Sequence, residues 1–140
     1  MMTFDKITIQ AEVAKEKAKL WDYYTLPEHI MNWNFADPSW HCPRASNNMI
    51  IGGEYNARME AKDGSFGFDF IAKYSEINFG ENFIYGFAGR EIKVSFTEIS
   101  ANKTLITIIF DPEKENPVDL QRTGWQMILN NFKNYAEGIN

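Results

Sequence analysis

The sequence predicts an α+β fold in which a strand and two short helices precede an antiparallel run of strands and one long C-terminal helix. Three observations predict it: alternating apolar residues on both sides of Asp63-Gly64, short connections between the later strands, and a helical period in the final third of the chain. Because 140 residues suit one domain with one substantial core, we expect a single domain over residues 1–140.

The first half of the chain changes its apolar period twice. Residues Phe4 to Ala11 alternate and predict a first strand, whereas Lys15 to Tyr24 have the period of a helix. A second short helix is expected from Pro27 to Trp33, because Pro suits a first helical turn. The segment Asn34 to Pro43 contains two prolines and is expected to be a loop, after which Gly52-Gly53 introduces the sheet.

The Asp63-Gly64 pair gives the clearest local prediction, because Asp-Gly between alternating strands is typical of a two-residue hairpin turn. This turn places Arg58 opposite Asp69, an ion pair on one face of the hairpin. The other face is then apolar throughout. Its predicted pairs are Ala61 with Phe66, Met59 with Phe68, Ala57 with Phe70, and Tyr55 with Ala72.

Further strands complete an antiparallel meander, because the connections between them are short and contain Gly or Asn. They are expected at Phe70 to Ile77, Phe83 to Phe87, Glu91 to Ile99, and Thr104 to Phe110. In the last of them Leu105, Thr107 and Ile109 alternate with residues that are equally apolar. The sequence therefore leaves open which face points inward, and whether a homodimer partner covers the other.

The long helix is predicted from Asn116-Pro117 to Gly138. Asn is favoured at the N-cap and Pro at the first helical position, while Gly suits the end of a helix. Between them Trp125, Leu129 and Phe132 belong to an apolar stripe with spacings of three and four. This stripe is wide enough to pack against the sheet.

The composition opposes several functions. A net charge of -5 opposes binding to nucleic-acid phosphates, because that affinity depends on clustered Lys and Arg. The longest apolar run, Leu105 to Phe110, is far too short to cross a bilayer, and no secretory signal is visible. We therefore expect a cytoplasmic protein with neither nucleic acid nor membrane as a partner.

Two groups of motifs resemble a known family. They are Gly52 to Tyr55 with Arg58 to Ser65, and Phe110 to Glu113 followed by Asn116 to Gln126. Together they resemble the family named after the activator of the ninety-kilodalton heat-shock protein ATPase, within the START-like (SRPBCC, or birch-pollen-allergen-like) superfamily, over nearly the whole chain. The resemblance implies the helix-grip fold, in which a curved antiparallel sheet wraps the C-terminal helix and can leave an apolar cavity. That fold hosts many functions, so function has to be argued from a site.

A high density of rings on the predicted inner face of the sheet indicates a ligand site. Aromatic residues make up 15% of the sequence, and large rings either fill a core or line a pocket. The expected ligand-binding residues are Trp33, Tyr55, Met59, Phe68, Phe70, Tyr85, Gln121, Trp125 and Leu129. In this hypothesis Tyr hydroxyls and the Gln121 amide orient a small apolar or aromatic molecule. The alternative is that the same rings pack to core density and leave no cavity.

Other chemistry-bearing residues favour structural roles. His41-Cys42 lacks the spacing that would indicate a metal site or a nucleophile with its base. The carboxylates Glu60 and Asp69 are expected with Arg58 on the solvated face of the hairpin, opposite the rings. We therefore predict no catalytic residue, no metal site and no cofactor.

Three functions are compatible with these observations. The leading hypothesis is a non-enzymatic protein that binds a small hydrophobic molecule between the sheet and the last helix. The second, suggested by the family name, is a chaperone-accessory or other protein-interaction module. The third is a cyclase-type or hydrolase-type enzyme, which requires ionisable groups that converge in the cavity, where the sequence places few.

Overall fold

Seven strands and three helices follow one another in residues 5–139, which are the residues that the computed structural model describes. They are β1 (Ile7–Val13), α1 (Lys17–Thr25), α2 (Pro27–Ile30), β2 (Trp40–Asn47), β3 (Glu54–Ala61), β4 (Gly67–Asn78), β5 (Asn82–Phe87), β6 (Arg90–Ser100), β7 (Lys103–Phe110) and α3 (Val118–Gly138). Phe4, with which the predicted first strand begins, lies outside the described residues. The predicted α+β class and the two short helices after the first strand are confirmed.

The seven strands form one antiparallel sheet in the order β1-β7-β6-β5-β4-β3-β2. Strands β2 to β7 are a meander, and β1 closes it by pairing with β7 at the far edge. The sheet curls around α3, whose inner face buries Leu129, Phe132 and Ala136 almost completely. None of the helices in residues 5–139 has both the length and the apolar character needed to cross a membrane.

The hairpin of β3 and β4 has the predicted register. Arg58 pairs with Asp69, Met59 with Phe68 and Tyr55 with Ala72. Gly64 has a φ of 79°, a left-handed conformation that suits the predicted turn. The guanidinium of Arg58 lies 3.6 Å from the Asp69 carboxylate on the solvent side. On the opposite face Tyr55 and Phe70 are directed towards α3, whereas Phe66, beside the turn, is 62% exposed.

The expected loop from Asn34 to Pro43 was wrong in its last residues, because β2 begins at Trp40. Strand β2 lies at the edge of the sheet, and its register shifts between His41 and Arg44. Pro43 is tolerated at this irregularity because an edge bulge does not require its missing N–H. Pro43 is therefore compatible with a strand, provided that the strand lies at the edge of the sheet and contains a bulge.

Two other boundaries and one open question are settled by the structure. Helix α2 ends at Ile30, earlier than the predicted Trp33, and α3 begins at Val118 with Pro117 at the N-cap position. On β7 the residues Ile106 and Ile108 face the core, whereas Leu105 and Ile109 are only half-buried. The homodimer stays a prediction.

The glycine pair before β3 has a steric explanation. Gly52 has a φ of 84°, and a Cβ on Gly53 would lie 2.2 Å from the carbonyl oxygen of Asn48. The pair is joined to β4 through Tyr74, whose carbonyl accepts the Gly52 N–H at 2.8 Å and whose N–H donates to Gly53 at 3.0 Å. Only glycine fits both positions without displacing this turn.

Candidate functional site

A pocket of about 420 Å³ lies between the curled sheet, α3 and the segment after α2. All nine residues expected at a ligand site line it together: Trp33, Tyr55, Met59, Phe68, Phe70, Tyr85, Gln121, Trp125 and Leu129. Their role in ligand binding stays a prediction. Sequence reasoning missed Tyr24 and Asn34, which reach the pocket from α1 and from the segment after α2, and Phe87 and Arg90, which flank the turn between β5 and β6.

The sheet side of the pocket is a continuous group of aromatic rings. Tyr55 on β3 lies edge-to-face with Phe70 on β4 at 5.9 Å and with Tyr85 on β5 at 5.3 Å, measured between ring centroids. Phe70 also contacts Phe87 at 4.9 Å. These residues meet because period-two alternation directs them to the same face of neighbouring strands. These rings pack against one another, so this wall of the pocket is preformed.

Helix α3 supplies the opposite wall. Trp125 stacks on Phe110 with a centroid distance of 4.3 Å and an interplanar angle of 20°. Leu129, one turn further, is buried. Between the N-terminus of the helix and Trp125, Gly124 also lines the pocket, and a Cβ added there would meet no atom within 4 Å. The missing side chain of Gly124 therefore leaves room that the helix would otherwise fill.

Burial changes along the pocket and defines its two ends. At the closed end Trp33, Tyr55 and Leu129 are at most 2% exposed. At the mouth Phe68 is 41% exposed and Leu120 is 60% exposed. A molecule can therefore enter beside the N-terminal turns of α3, whereas the far end is sealed by protein.

The closed end has polar groups that stay uncharged near neutral pH. The Asn34 amide donates a hydrogen bond to the Tyr55 hydroxyl at 3.0 Å. Burial raises the pKa of Tyr24, Tyr55 and Tyr85 above the usual range, and the neighbouring phenols raise it further. These hydroxyls therefore stay protonated near neutral pH and can form hydrogen bonds as neutral groups.

Gln121 lines the pocket, but its amide already has partners in the loop between β7 and α3. Its oxygen accepts the Glu113 N–H at 2.8 Å, and its nitrogen donates to the carbonyls of Glu113 at 3.1 Å and of Asn116 at 2.7 Å. Both amide hydrogens are thus used within the protein. These hydrogen bonds hold the loop at the mouth, and the expected hydrogen bond from Gln121 to a ligand stays a prediction.

Replacing Gln121 with Leu should destabilise the protein by about 1–3 kcal/mol, because it leaves polar backbone groups of the loop without partners. Urea unfolding measures the loss, and hydrogen exchange of the Glu113 amide should become faster. The neighbouring, exposed Arg122→Leu is the matched control, since it removes only a surface ion pair with Asp119. Equal stability of the two variants would contradict this role.

Asp111, directly after β7, is joined to Lys6, directly before β1, and to Glu91 in β6. Its carboxylate accepts the Lys6 ammonium at 2.6 Å and the Glu91 N–H at 2.9 Å. These hydrogen bonds, that of Lys6 first, hold the pKa of Asp111 below its usual range. The ionised carboxylate therefore fastens the end of β7 to the start of β6.

Replacing Asp111 with Asn should destabilise the protein at neutral pH and have less effect in acid. A carboxyl with a lowered folded pKa stabilises above its unfolded value of about 3.9, and this contribution is lost as pH falls through the folded pKa. Because the side chain is 34% exposed, we expect less than about 1 kcal/mol. Urea midpoints at neutral pH and near about pH 3 measure the change, with exposed Asp22→Asn as the control. An equal loss at both pH values would exclude a contribution from the charge.

The cysteine and histidine side chains of residues 5–139 lie outside the pocket lining. Cys42 is buried, its thiol contacts the Arg44 carbonyl at 3.5 Å, and burial raises its pKa to about 11. The thiolate needed for nucleophilic attack is therefore scarce near neutral pH. His41 lies 3.7 Å from the Glu60 carboxylate on the surface. Across residues 5–139, His, Cys, Asp and Glu side chains form no cluster of three or more that could hold a metal ion.

Known structures share this architecture. An AHSA1-like protein from Aeromonas hydrophila is 34% identical, with a TM-score of 0.89 over 94% of this chain and 92% of that chain. A protein from Cytophaga hutchinsonii is 42% identical, with a TM-score of 0.81 over the same shares. A third, from Chromobacterium violaceum, is 16% identical and shares the fold, with a TM-score of 0.83 over 97% of this chain and 100% of that one.

Comparison with curated proteins gave no match. The family model described as Activator of Hsp90 ATPase homolog 1-like protein matches residues 15–137. That range extends from the residues just before α1 into the last turn of α3, so it contains both walls of the pocket. The chain therefore belongs to the family of Activator of Hsp90 ATPase homolog 1-like proteins and has its helix-grip fold.

Proposed function

We propose that the protein binds a small apolar or aromatic molecule in the pocket between the sheet and α3, and does not transform it. The observation that carries this proposal is an aromatic-walled pocket of about 420 Å³ with one closed end. This volume is in the range of small-molecule sites, which are mostly apolar with a few convergent polar groups. The preformed rings reduce the ordering that a ligand would otherwise have to impose.

Binding is favoured over catalysis by the kinds of side chain at the closed end. General acid–base catalysis needs groups that titrate near the working pH. The Tyr24, Tyr55 and Tyr85 phenols titrate far above it because they are buried. The charged lining residues are Arg90, the first residue of β6, and Glu113, in the loop between β7 and α3. The closed end is therefore suited to holding a molecule.

Native mass spectrometry of gently purified protein, followed by denaturation and identification of any released molecule, tests this proposal. A stoichiometric apolar or aromatic compound would support it. Protein that purifies empty is titrated with ethylnaphthalene, and saturable quenching of Trp33 and Trp125 fluorescence is expected because both rings line the pocket. Empty protein with no saturable quenching would overturn the proposal.

The family description and one surface feature favour a second candidate, a chaperone-accessory function. Trp40, Phe66 and Phe68 form a cluster near the turn of the β3–β4 hairpin, with centroid distances of 5.9 to 6.4 Å. Phe66 is 62% exposed, and exposed aromatic patches are typical of protein contacts. Capture of a heat-shock chaperone by the wild type and not by Phe66→Ser would support this function. No capture and no change in chaperone ATP turnover would exclude it.

A further inference from the structure

Three tyrosines surround the closed end of the pocket. Tyr24 comes from α1, Tyr55 from β3 and Tyr85 from β5, and all three are at most 5% exposed. The rings of Tyr55 and Tyr85 lie 5.3 Å apart, and the rings of Tyr24 and Tyr85 both pack against Phe83, at centroid distances of 6.1 Å and 5.1 Å. Three separate elements thus bring phenolic groups to one place.

The hydrogen bonds at these hydroxyls are incomplete. Tyr55 accepts from Asn34 at 3.0 Å, which leaves its own proton to donate. Among residues 5–139 the Tyr24 and Tyr85 hydroxyls have no hydrogen-bond partner, although every fully buried side-chain nitrogen or oxygen there has one. These two oxygens must therefore keep accessible surface, and the pocket that both residues line provides it.

Tyr74 belongs to the same aromatic cluster, but its hydroxyl points away from the pocket and has a hydrogen-bond partner within the protein. Its ring lies 5.6 Å from that of Tyr85, and its hydroxyl donates to the Asn47 amide oxygen at 2.8 Å. Asn47 in turn donates to the Thr25 carbonyl at 2.8 Å. A buried hydroxyl without a hydrogen-bond partner is costly. The Tyr24, Tyr55 and Tyr85 hydroxyls at the pocket are therefore expected to donate to an acceptor on a bound molecule.

The charge at the closed end decides what kind of acceptor fits. Among the described residues that line the pocket, Arg90 is the only cation, and its guanidinium lies 5.3 Å from the centroid of Phe87 beyond the end of β5. The phenols and Asn34 at the closed end carry no positive charge. The desolvation that keeps the phenols neutral also opposes a buried carboxylate or phosphate. The acceptor must therefore be uncharged.

We infer that the ligand is an aromatic or polycyclic molecule with a neutral oxygen acceptor, such as a ketone, quinone or ester carbonyl. It enters with this oxygen first, and the oxygen accepts hydrogen bonds from the hydroxyl groups of Tyr24, Tyr55 and Tyr85. This inference rests on the proposed function, to which it adds the polarity and the orientation of the ligand.

Two probes that differ at one carbon atom test it: acetylnaphthalene, which carries a ketone there, and ethylnaphthalene, which has a methylene group in its place. Removing hydroxyls with the Tyr24→Phe/Tyr85→Phe double variant should weaken acetylnaphthalene binding by about threefold to tenfold and leave ethylnaphthalene binding unchanged within about twofold. The infrared carbonyl stretch of bound, isotope-labelled acetylnaphthalene should lie at lower frequency in the wild type than in the double variant. Tyr74→Phe is the matched control, because its hydroxyl already has an acceptor, and it should leave both affinities unchanged.

The outcomes separate this inference from the proposed function. Saturable binding of both probes, with no selective effect of the double variant and a carbonyl frequency like that in hydrocarbon solvent, would overturn the inference alone. Failure of both probes to bind the wild type would overturn both. If circular dichroism shows that the double variant is unfolded, Tyr85→Phe replaces it, and the carbonyl frequency in the wild type decides: a hydrocarbon-like value overturns the inference.

Discussion

Replacing Gly124 with Leu should lower the affinity for ethylnaphthalene by at least about tenfold while the protein stays folded and becomes no less stable. A Cβ at Gly124 would meet no atom within 4 Å, and Gly124 lines the pocket. The Leu side chain would therefore occupy space that the proposed ligand needs. Leu also has a higher helix propensity than Gly by roughly 0.5–1 kcal/mol, which opposes any strain at the new side chain.

The matched control for this variant is Gly124→Ala. It gains most of the helix propensity but adds one methyl group to a pocket of about 420 Å³, so binding should persist. Fluorescence titration measures the affinity of both variants, and urea unfolding measures their stability. A folded Gly124→Leu protein that binds ethylnaphthalene as tightly as the wild type would show that the site lies elsewhere.

Replacing Phe132 with Ala should have the largest effect on stability, a loss of about 3–5 kcal/mol. Phe132 is 0% exposed, and its ring packs edge-to-face against Tyr24 at 5.0 Å and Trp33 at 4.9 Å. Its removal leaves a cavity beneath α1 and α3 that these large rings cannot readily close. The change in the free energy of unfolding, from urea denaturation, is the measurement.

Met127→Ala provides the comparison on the same helix. Met127 is 39% exposed on the outer side, so its truncation should change the stability by less than about 0.5 kcal/mol. A Phe132→Ala protein that lost no more than this control would mean that the aromatic cluster under the helix is loosely packed. The difference in the free energy of unfolding between the two variants thus measures how strongly the inner face of α3 contributes to the core.

The predictions for Gly124 and Phe132 distinguish two parts of α3, one that lines the pocket and one that belongs to the core. The pocket-lining residues of α3 are Leu120, Gln121, Gly124, Trp125, Ile128 and Leu129, whereas Phe132 and Ala136 lie beyond the pocket and are completely buried. Trp125 belongs to the first part and is only half-buried, although its position in the apolar stripe suggested a core ring as readily as a pocket wall. One continuous apolar stripe therefore lies partly against the pocket and partly in the packed core. Hydrophobic periodicity alone does not distinguish these two environments.

Much of the fold could be predicted because its strongest determinants are local. Asp63-Gly64 specifies a turn, the turn specifies a register, and the register places Tyr55, Met59 and Phe70 on one face. Four of the nine expected pocket residues, Tyr55, Met59, Phe68 and Phe70, come together for this reason. The family resemblance then supplied the curvature of the sheet around the last helix, which no local pattern indicates.

The missed features depend on tertiary placement. Tyr24 and Asn34 reach the pocket only because α1 and α2 cross from one edge of the sheet to the other. The partners of Gln121 lie in an irregular loop that has no sequence period. The number of aromatic rings also does not show whether they leave a cavity between them. The sequence signal for a cavity was Gly124, which has no side chain and lies beside the apolar stripe of the helix.

The pairing of β1 with β7, the first and last of the seven strands in chain order, has a consequence for biosynthesis. Ile7 pairs with Phe110, so β1, which is synthesised before the other six strands of this sheet, finds its partner β7 only after all of them have been made. The β2–β7 meander can form from neighbouring segments, whereas β1 and the covering helix α3 must be added at the end. During translation the half-formed sheet therefore exposes its aromatic inner face and the edge of β7, and this nascent chain is the species most prone to aggregation.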